Sequence, residues 1–239
     1  MDHTTCVELP TGAKMPMFGL GTWQSTDEAV IQAVNTALDC DYKLIDTAFG
    51  YGNEAAIGKA LKSRFESGKL KREDIFIASK LYIGHMSSRA EVLRACKLSL
   101  GRLDIDYLDL YLIHAPYGMK FIDDNTLFPR DENNEPMMAN YDLLEVWRGM
   151  EDLVDLGLVK AIGVSNCNSK QIDRFRAIAK HPYPTARSSA TPTLTRRNFL
   201  ISARTEASPS PLTHPWVRRP DPTNPDVVPT PHLPWTTQQ

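Results

Sequence analysis

Residues 42–68 read YKLIDTAFGYGNEAAIGKALKSRFESG. The first part, 42–48, is a short apolar run that reads as a strand, and 52–68 carries the spacing of an amphipathic helix. A strand buried on both faces that leads into a helix is the repeating unit of a parallel sheet covered by helices.

Outward from this pair the same alternation recurs. FGLGTW (18–23) is a short buried strand followed by the helix 25–40, whose Ser25-Thr26-Asp27-Glu28 start is a good N-terminal cap. DIFIASK (74–80) precedes the helix 88–103, and YLDLYLIH (107–114) and VKAIGVSN (159–166) are two more strands, accompanied by helices 142–157 and 168–180. Residues 5–17 predict a hairpin ahead of the repeats. No GxGxxG follows the first strand, which favours a (β/α) barrel over a dinucleotide-binding open sheet. The exception to the short connections is 115–140, a loop of the length that serves as a functional lid or stays locally disordered.

The alternation ends near Lys180. All 13 glycines and all four cysteines of the 239 residues lie before that point, whereas most of the 17 prolines lie after it. The expectation is therefore a globular region over 1–180 and a disordered Pro/Ser/Thr/Arg-rich tail over 181–239. A formal charge of −2 gives no reason to expect a nucleic-acid or anionic-membrane partner. Cys6, Cys40, Cys96 and Cys167 have no metal-ligand or CxxC spacing, and MDHTTCVELP lacks the regions of a secretory signal. These features predict reduced thiols, no metal and a cytoplasmic protein.

In a parallel barrel, chemistry sits at the C-terminal ends of the strands. Those ends here read Gly21-Thr22-Trp23, Asp46, Lys80, His114 and Ser165-Asn166, with Tyr51 just past Asp46. Each has a plainer reading: Asp46, Thr47, Ser165 and Asn166 as helix caps, Lys80 as a solvated rim charge, His114 as a loop histidine. Together, an acid, a phenol, a lysine and an imidazole suit delivery of a proton to a carbonyl oxygen. A free tyrosine, with pKa about 10, is a poor acid, and the expectation is that the Lys80 ammonium lowers that value while Asp46 holds Lys80 charged. His114 would hydrogen-bond the substrate oxygen.

LIDTAFGYGNEAAIG (44–58), LDIDYLDLYLIHAP (103–116) and GLVKAIGVSN (157–166), with Thr22-Trp23 and KREDIFIASKLY (71–82), resemble the signature blocks of the aldo-keto reductases, in that family's order. The resemblance covers about residues 5–180. It implies a (β/α)8 TIM barrel, an oxidoreductase that reduces small aldehydes or ketones with NADPH, and an intact molecule that is a monomer. Carried over by position, Tyr51 is the general acid, Lys80 and Asp46 its tuning pair, and His114 the orienting group. Gly21, Thr22, Asp46, Ser165 and Asn166 face NADP, and Trp23, Tyr82 and His114 the substrate. Asp41, Lys43 and Ala115 depart from the family pattern, and Ala115 is expected to widen the carbonyl pocket.

A typical barrel takes about 250 residues and eight strands, whereas the alternation here supplies five units. The resemblance therefore implies an incomplete barrel with an open sheet edge and weak or no turnover. Read one base out of frame, the codons of Ser188–Arg196 and Ala207–Arg218 can spell segments like those of the family, so the tail is expected to be an out-of-frame product. Two alternatives stand beside the enzyme: a non-catalytic binding or auxiliary subunit on the same scaffold, and a frameshifted chain without function.

Overall fold

The computed structural model describes residues 5–181 and the backbone of Phe199–Leu200. Apart from those residues, the Pro-rich tail and its out-of-frame reading lie outside the described residues.

A hairpin of β1 (Cys6–Glu8) and β2 (Lys14–Pro16), in register Val7 with Met15, precedes the repeats. The repeats follow as β3 (Leu20–Gly21), α1 (Asp27–Asp39), β4 (Leu44–Asp46), α2 (Glu54–Glu66), β5 (Phe76–Leu81), α3 (Arg89–Leu103) and β6 (Leu110–Ile113). The long connection contains β7 (Gly118–Met119) and β8 (Met138–Ala139), and α4 (Leu143–Asp155), β9 (Ile162–Ser165) and α5 (Ser169–Arg176) complete the run. Strands β3, β4, β5, β6 and β9 pair in that order, all parallel. The five strand and helix units expected from sequence are thus present. The first strand is shorter than FGLGTW suggests, two residues only.

Every residue of β4, β5, β6 and β9 is buried. Burial on both faces explains why these strands read as nearly continuous apolar runs. The helices that cover them begin where local chemistry directs. Thr26 caps α1 by accepting from Ala29 N at 3.4 Å, and Ser88 caps α3 by accepting from Glu91 N at 3.2 Å. Asn168 and Gln171 form a reciprocal capping box at the start of α5. On α4, Trp147 is 1% exposed and packs against Phe175 of α5 with ring centroids 5.5 Å apart.

One feature differs from expectation, and the long connection is ordered, one of the two forms expected for it. The edge of β9 is not open, because β10 (Phe199–Leu200) pairs with it antiparallel, Phe199 opposite Ser165. The 115–140 connection is an ordered excursion in which β7 pairs with β8, Gly118 opposite Ala139, and Arg130 bridges Pro136. At its tip the Asp131 carboxylate accepts from the backbone amides of Asn133 and Glu135, both at 2.9 Å, a local bond that supplies a turn without help from the core.

At the N-terminal end of the strands, Asp109 ties the sheet together. Its carboxylate accepts from Arg72 at 2.7 Å, from Lys160 at 3.2 Å and from the Ile77 amide at 3.0 Å. The two cations also lie over the Tyr107 ring, at 3.9 and 4.0 Å from its centroid. That polar staple leaves the opposite end of the sheet for the polar groups of the loops.

Candidate active site

Side chains alternate across a strand, and in β5 this places neighbours in different environments. Ser79 faces the helical layer, donating to Glu54 of α2 at 2.6 Å; the same carboxyl accepts from Ser99 of α3 at 3.0 Å. Lys80 faces the other way, and it is 2% exposed. A lysine so buried needs acceptors for its ammonium. It donates to Asp46 Oδ1 and Oδ2 at 2.9 and 3.1 Å, to the Thr47 carbonyl at 2.9 Å and to the Tyr51 hydroxyl at 3.1 Å. Lys80 is therefore no solvated rim charge, and Asp46 does not cap a helix. The residue that precedes α2 is Asn53.

Tyr51 reaches this ammonium from a 3-10 turn, Phe49–Tyr51, stacked on the end of β4. Gly52 stops the turn at φ 75°, a conformation that favours glycine. His114 follows β6, and its ring lies edge-on to that of Tyr51 with centroids 5.7 Å apart. Past β9, Asn166 takes a left-handed conformation, φ 59°, and its amide donates to the His114 carbonyl at 2.8 Å and to Ser165 Oγ at 3.1 Å. Asp46, Tyr51, Lys80, His114, Ser165 and Asn166 thus come together at the C-terminal ends of four adjacent strands.

The electrostatics correct one expectation. Burial raises the Tyr51 phenol above the ordinary tyrosine value, and the opposing pull of Lys80 does not overcome it. Burial opposes the Lys80 charge too, but there the Asp46 carboxylate and the Tyr51 oxygen win, and the ammonium is held above the usual lysine value. Asp46 is pushed up by burial and pulled down by Lys80; the two short contacts to Lys80 support an ion pair. His114 is lowered to about 3, by burial first and by the nearby Lys80 charge second, so its imidazole is neutral near pH 7.

The remaining predicted residues divide. Trp23 follows Thr22 on the loop after β3 and is 61% exposed. Tyr82 is 2% exposed and lies beneath the long connection, its hydroxyl accepting from the Phe128 amide at 3.0 Å. Ala115 is 4% exposed and belongs to the apolar core. The Thr22 amide and hydroxyl both donate to the Asp46 carbonyl at 3.1 Å, which commits that hydroxyl within the protein. Gly21 pairs with Asp46 across β3 and β4.

Asn53 escaped the sequence reading. Its amide donates to the carbonyls of Thr22 at 2.8 Å and Ser25 at 3.2 Å, tying the Trp23 loop to the Tyr51 turn. Its position ahead of a helix signals only a cap, and no local pattern reveals a partner 31 residues away.

The family model described as Aldo/keto reductase family matches residues 15–190. The chain is 40% identical to aldo-keto reductase family 1 member A1-A of Danio rerio over 235 residues, 98% of this chain and 68% of that protein. It is 40% identical to the human aldo-keto reductase family 1 member A1 over 190 residues, 75% of this chain and 58% of that one. The solved aldose reductase of Schistosoma japonicum superimposes with a TM-score of 0.71 at 42% identity, over 74% of this chain and 58% of that structure. The chain thus spans between about half and two thirds of the length of the relatives it matches. On this combination of sheet order, rim residues and sequence identity, the chain belongs to the aldo/keto reductase family.

Proposed function

We propose that this protein reduces aldehydes or ketones to alcohols with NADPH, and that Tyr51 is its general acid. The observation that carries the reading is the buried Lys80 ammonium, bonded at once to the Tyr51 hydroxyl and to Asp46. A substrate carbonyl seated between Tyr51 and His114 receives the phenolic proton on its oxygen. The ammonium 3.1 Å away then stabilises the phenolate left behind, and Asp46 keeps that ammonium charged and oriented. His114, neutral because it is buried beside a cation, donates a hydrogen bond to the carbonyl oxygen and fixes its position.

The rim suits a nicotinamide. Ser165 Oγ and the Asn166 amide stand in contact at the end of β9, a hydroxyl and amide pair able to exchange hydrogen bonds with a carboxamide. Bound there, the cofactor supplies hydride, and the protein supplies position and electrostatics. Gly21 and Asp46 contribute to the same floor, and Trp23 forms the exposed apolar wall. The preference for NADPH over NADH comes from the family, not from any described residue.

Purified chain assayed for NADPH consumption with a simple aromatic aldehyde tests the reading. Weak but saturable, carbonyl-dependent consumption, reduced because the barrel is incomplete, that is lost in Tyr51→Phe is the expected result. Equal rates in the two proteins, or consumption independent of the aldehyde, would overturn it.

A further inference from the structure

The 115–140 connection returns to the site through four separate contacts. Phe121 packs on His85 with ring centroids 5.0 Å apart, and Leu127 approaches Gly52, the residue after Tyr51. The Phe128 amide donates to Tyr82, whose ring stacks on Phe49 of the Tyr51 turn at 5.7 Å. Phe128 itself sits at φ 63°, a region bulky residues avoid, with its side chain exposed. Strained backbone of this kind persists only where the surroundings over-determine it.

The fourth contact supplies that determination. Arg94 of α3 grips Asp124 with two parallel hydrogen bonds, Nη1 to Oδ2 at 2.8 Å and Nη2 to Oδ1 at 2.9 Å, and Arg102, two turns on, donates to the Asp124 carbonyl at 3.3 Å. Behind Arg94, Glu91 accepts from both Nε and Nη2. Glu91 also lies 2.7 Å from His85 Nδ1, a contact that requires the proton on Nδ1. His85 is fully buried, and its Nε2, which has no hydrogen-bond partner among the described residues, faces Asp124 Oδ1 at 3.6 Å. With the proton on Nδ1 and burial keeping the ring neutral, Nε2 presents only a lone pair to that carboxylate, so the hold on Asp124 comes from Arg94 and Arg102.

We propose that the Arg94–Asp124 fork is a latch that holds the 121–128 segment, strained Phe128 included, over the mouth of the site, with Glu91 and His85 as its socket. Arg94 and Asp124 are then positioning residues that act through the connection and touch neither substrate nor cofactor. Only the term mouth rests on the proposed carbonyl reduction; the latch is a statement about the chain alone.

Hydrogen exchange of the full chain, followed by mass spectrometry without cofactor or substrate, tests it. In Asp124→Asn and in Arg94→Gln the peptides covering 120–129 are expected to exchange about two- to fivefold faster, the range for a partly exposed ion pair. Peptides from β5 and β6 should be unchanged. The double variant should exchange no faster than either single one, since both remove the same interaction. Unchanged exchange at 120–129, additive effects, or faster exchange in β5 and β6 alongside the loop would each overturn the latch. Absence of carbonyl reduction would leave it standing.

Discussion

Lys80 Nζ stands 3.1 Å from the Tyr51 hydroxyl, yet the phenol is harder to ionise than a free tyrosine. Burial taxes the phenolate more than the ammonium rewards it, because much of that positive charge is already engaged by Asp46. The phenol is therefore held fully protonated near neutrality. In the proposed reduction the ammonium would act on the product of proton donation, where a negative oxygen replaces a neutral one.

Removing the Tyr51 hydroxyl should cost activity and little else. Tyr51→Phe is expected to lower kcat by about 10²–10⁴-fold, the usual worth of a positioned acid. Lys80→Met should instead leave the Asp46 carboxylate buried without its partner and destabilise the fold by about 3–5 kcal/mol. Urea denaturation separates the two outcomes: a midpoint near wild type for the first, and a much lower one for the second.

His114 makes stability depend on pH in a stated direction. Its pKa is about 3 in the folded chain, against an ordinary value of 6.5, so the fold favours the neutral ring. The contribution is complete above 6.5 and is lost as pH falls through that value toward 3, where the unfolded chain binds the extra proton. By pH 3 the loss is on the order of 4 kcal/mol. Over that window the denaturation midpoint of wild type should fall relative to that of His114→Gln, and parallel curves would refute the assignment.

Gly58 of α2 is where α2 meets α3. A Cβ added there would collide with the Arg102 carbonyl oxygen and stand 2.8 Å from Leu103 C, both backbone atoms that cannot swing aside. Gly58→Ala should destabilise the chain by about 1–3 kcal/mol. Gly101, exposed on α3 with nothing within 4 Å of such a Cβ, provides the control. Gly101→Ala should stabilise by up to about 1 kcal/mol through helix propensity, read as a higher melting temperature.

The staple at the opposite end of the sheet separates folding from chemistry. Asp109→Ala strips Arg72 of a carboxylate 2.7 Å away in a partly buried setting and removes the acceptor of the Ile77 amide. A loss of about 3 kcal/mol is expected. The pH dependence of any residual turnover should keep its shape, since Tyr51, Lys80 and His114 lie beyond the other ends of the strands.

The legible part of this molecule is what neighbours in sequence decide. Apolar runs such as Leu44-Ile45 and Phe76–Ala78 announce strands because both faces are covered. Ser88 and Asn168 announce helix starts because a capping side chain reaches only a few residues. Once the strands are parallel and in order, Asp46, Lys80, His114 and Ser165 fall at one end without further information. The hairpin within 115–140 was not legible, since Gly118 and Ala139 carry no strand signal and pair only because the connection returns on itself.

The sequence by itself therefore determined which elements form, their order, and which polar residues share a rim, for each of these follows from short-range periodicity and the handedness of the chain. Only the tertiary structure decided that Tyr51 is shifted upward, that Tyr82 lies under Phe128, that Asn53 holds the Trp23 loop, and that Phe199–Leu200 covers the edge of β9. Those outcomes depend on how much water is removed from a group and on contacts between residues far apart in the chain. Neither quantity has a local signature.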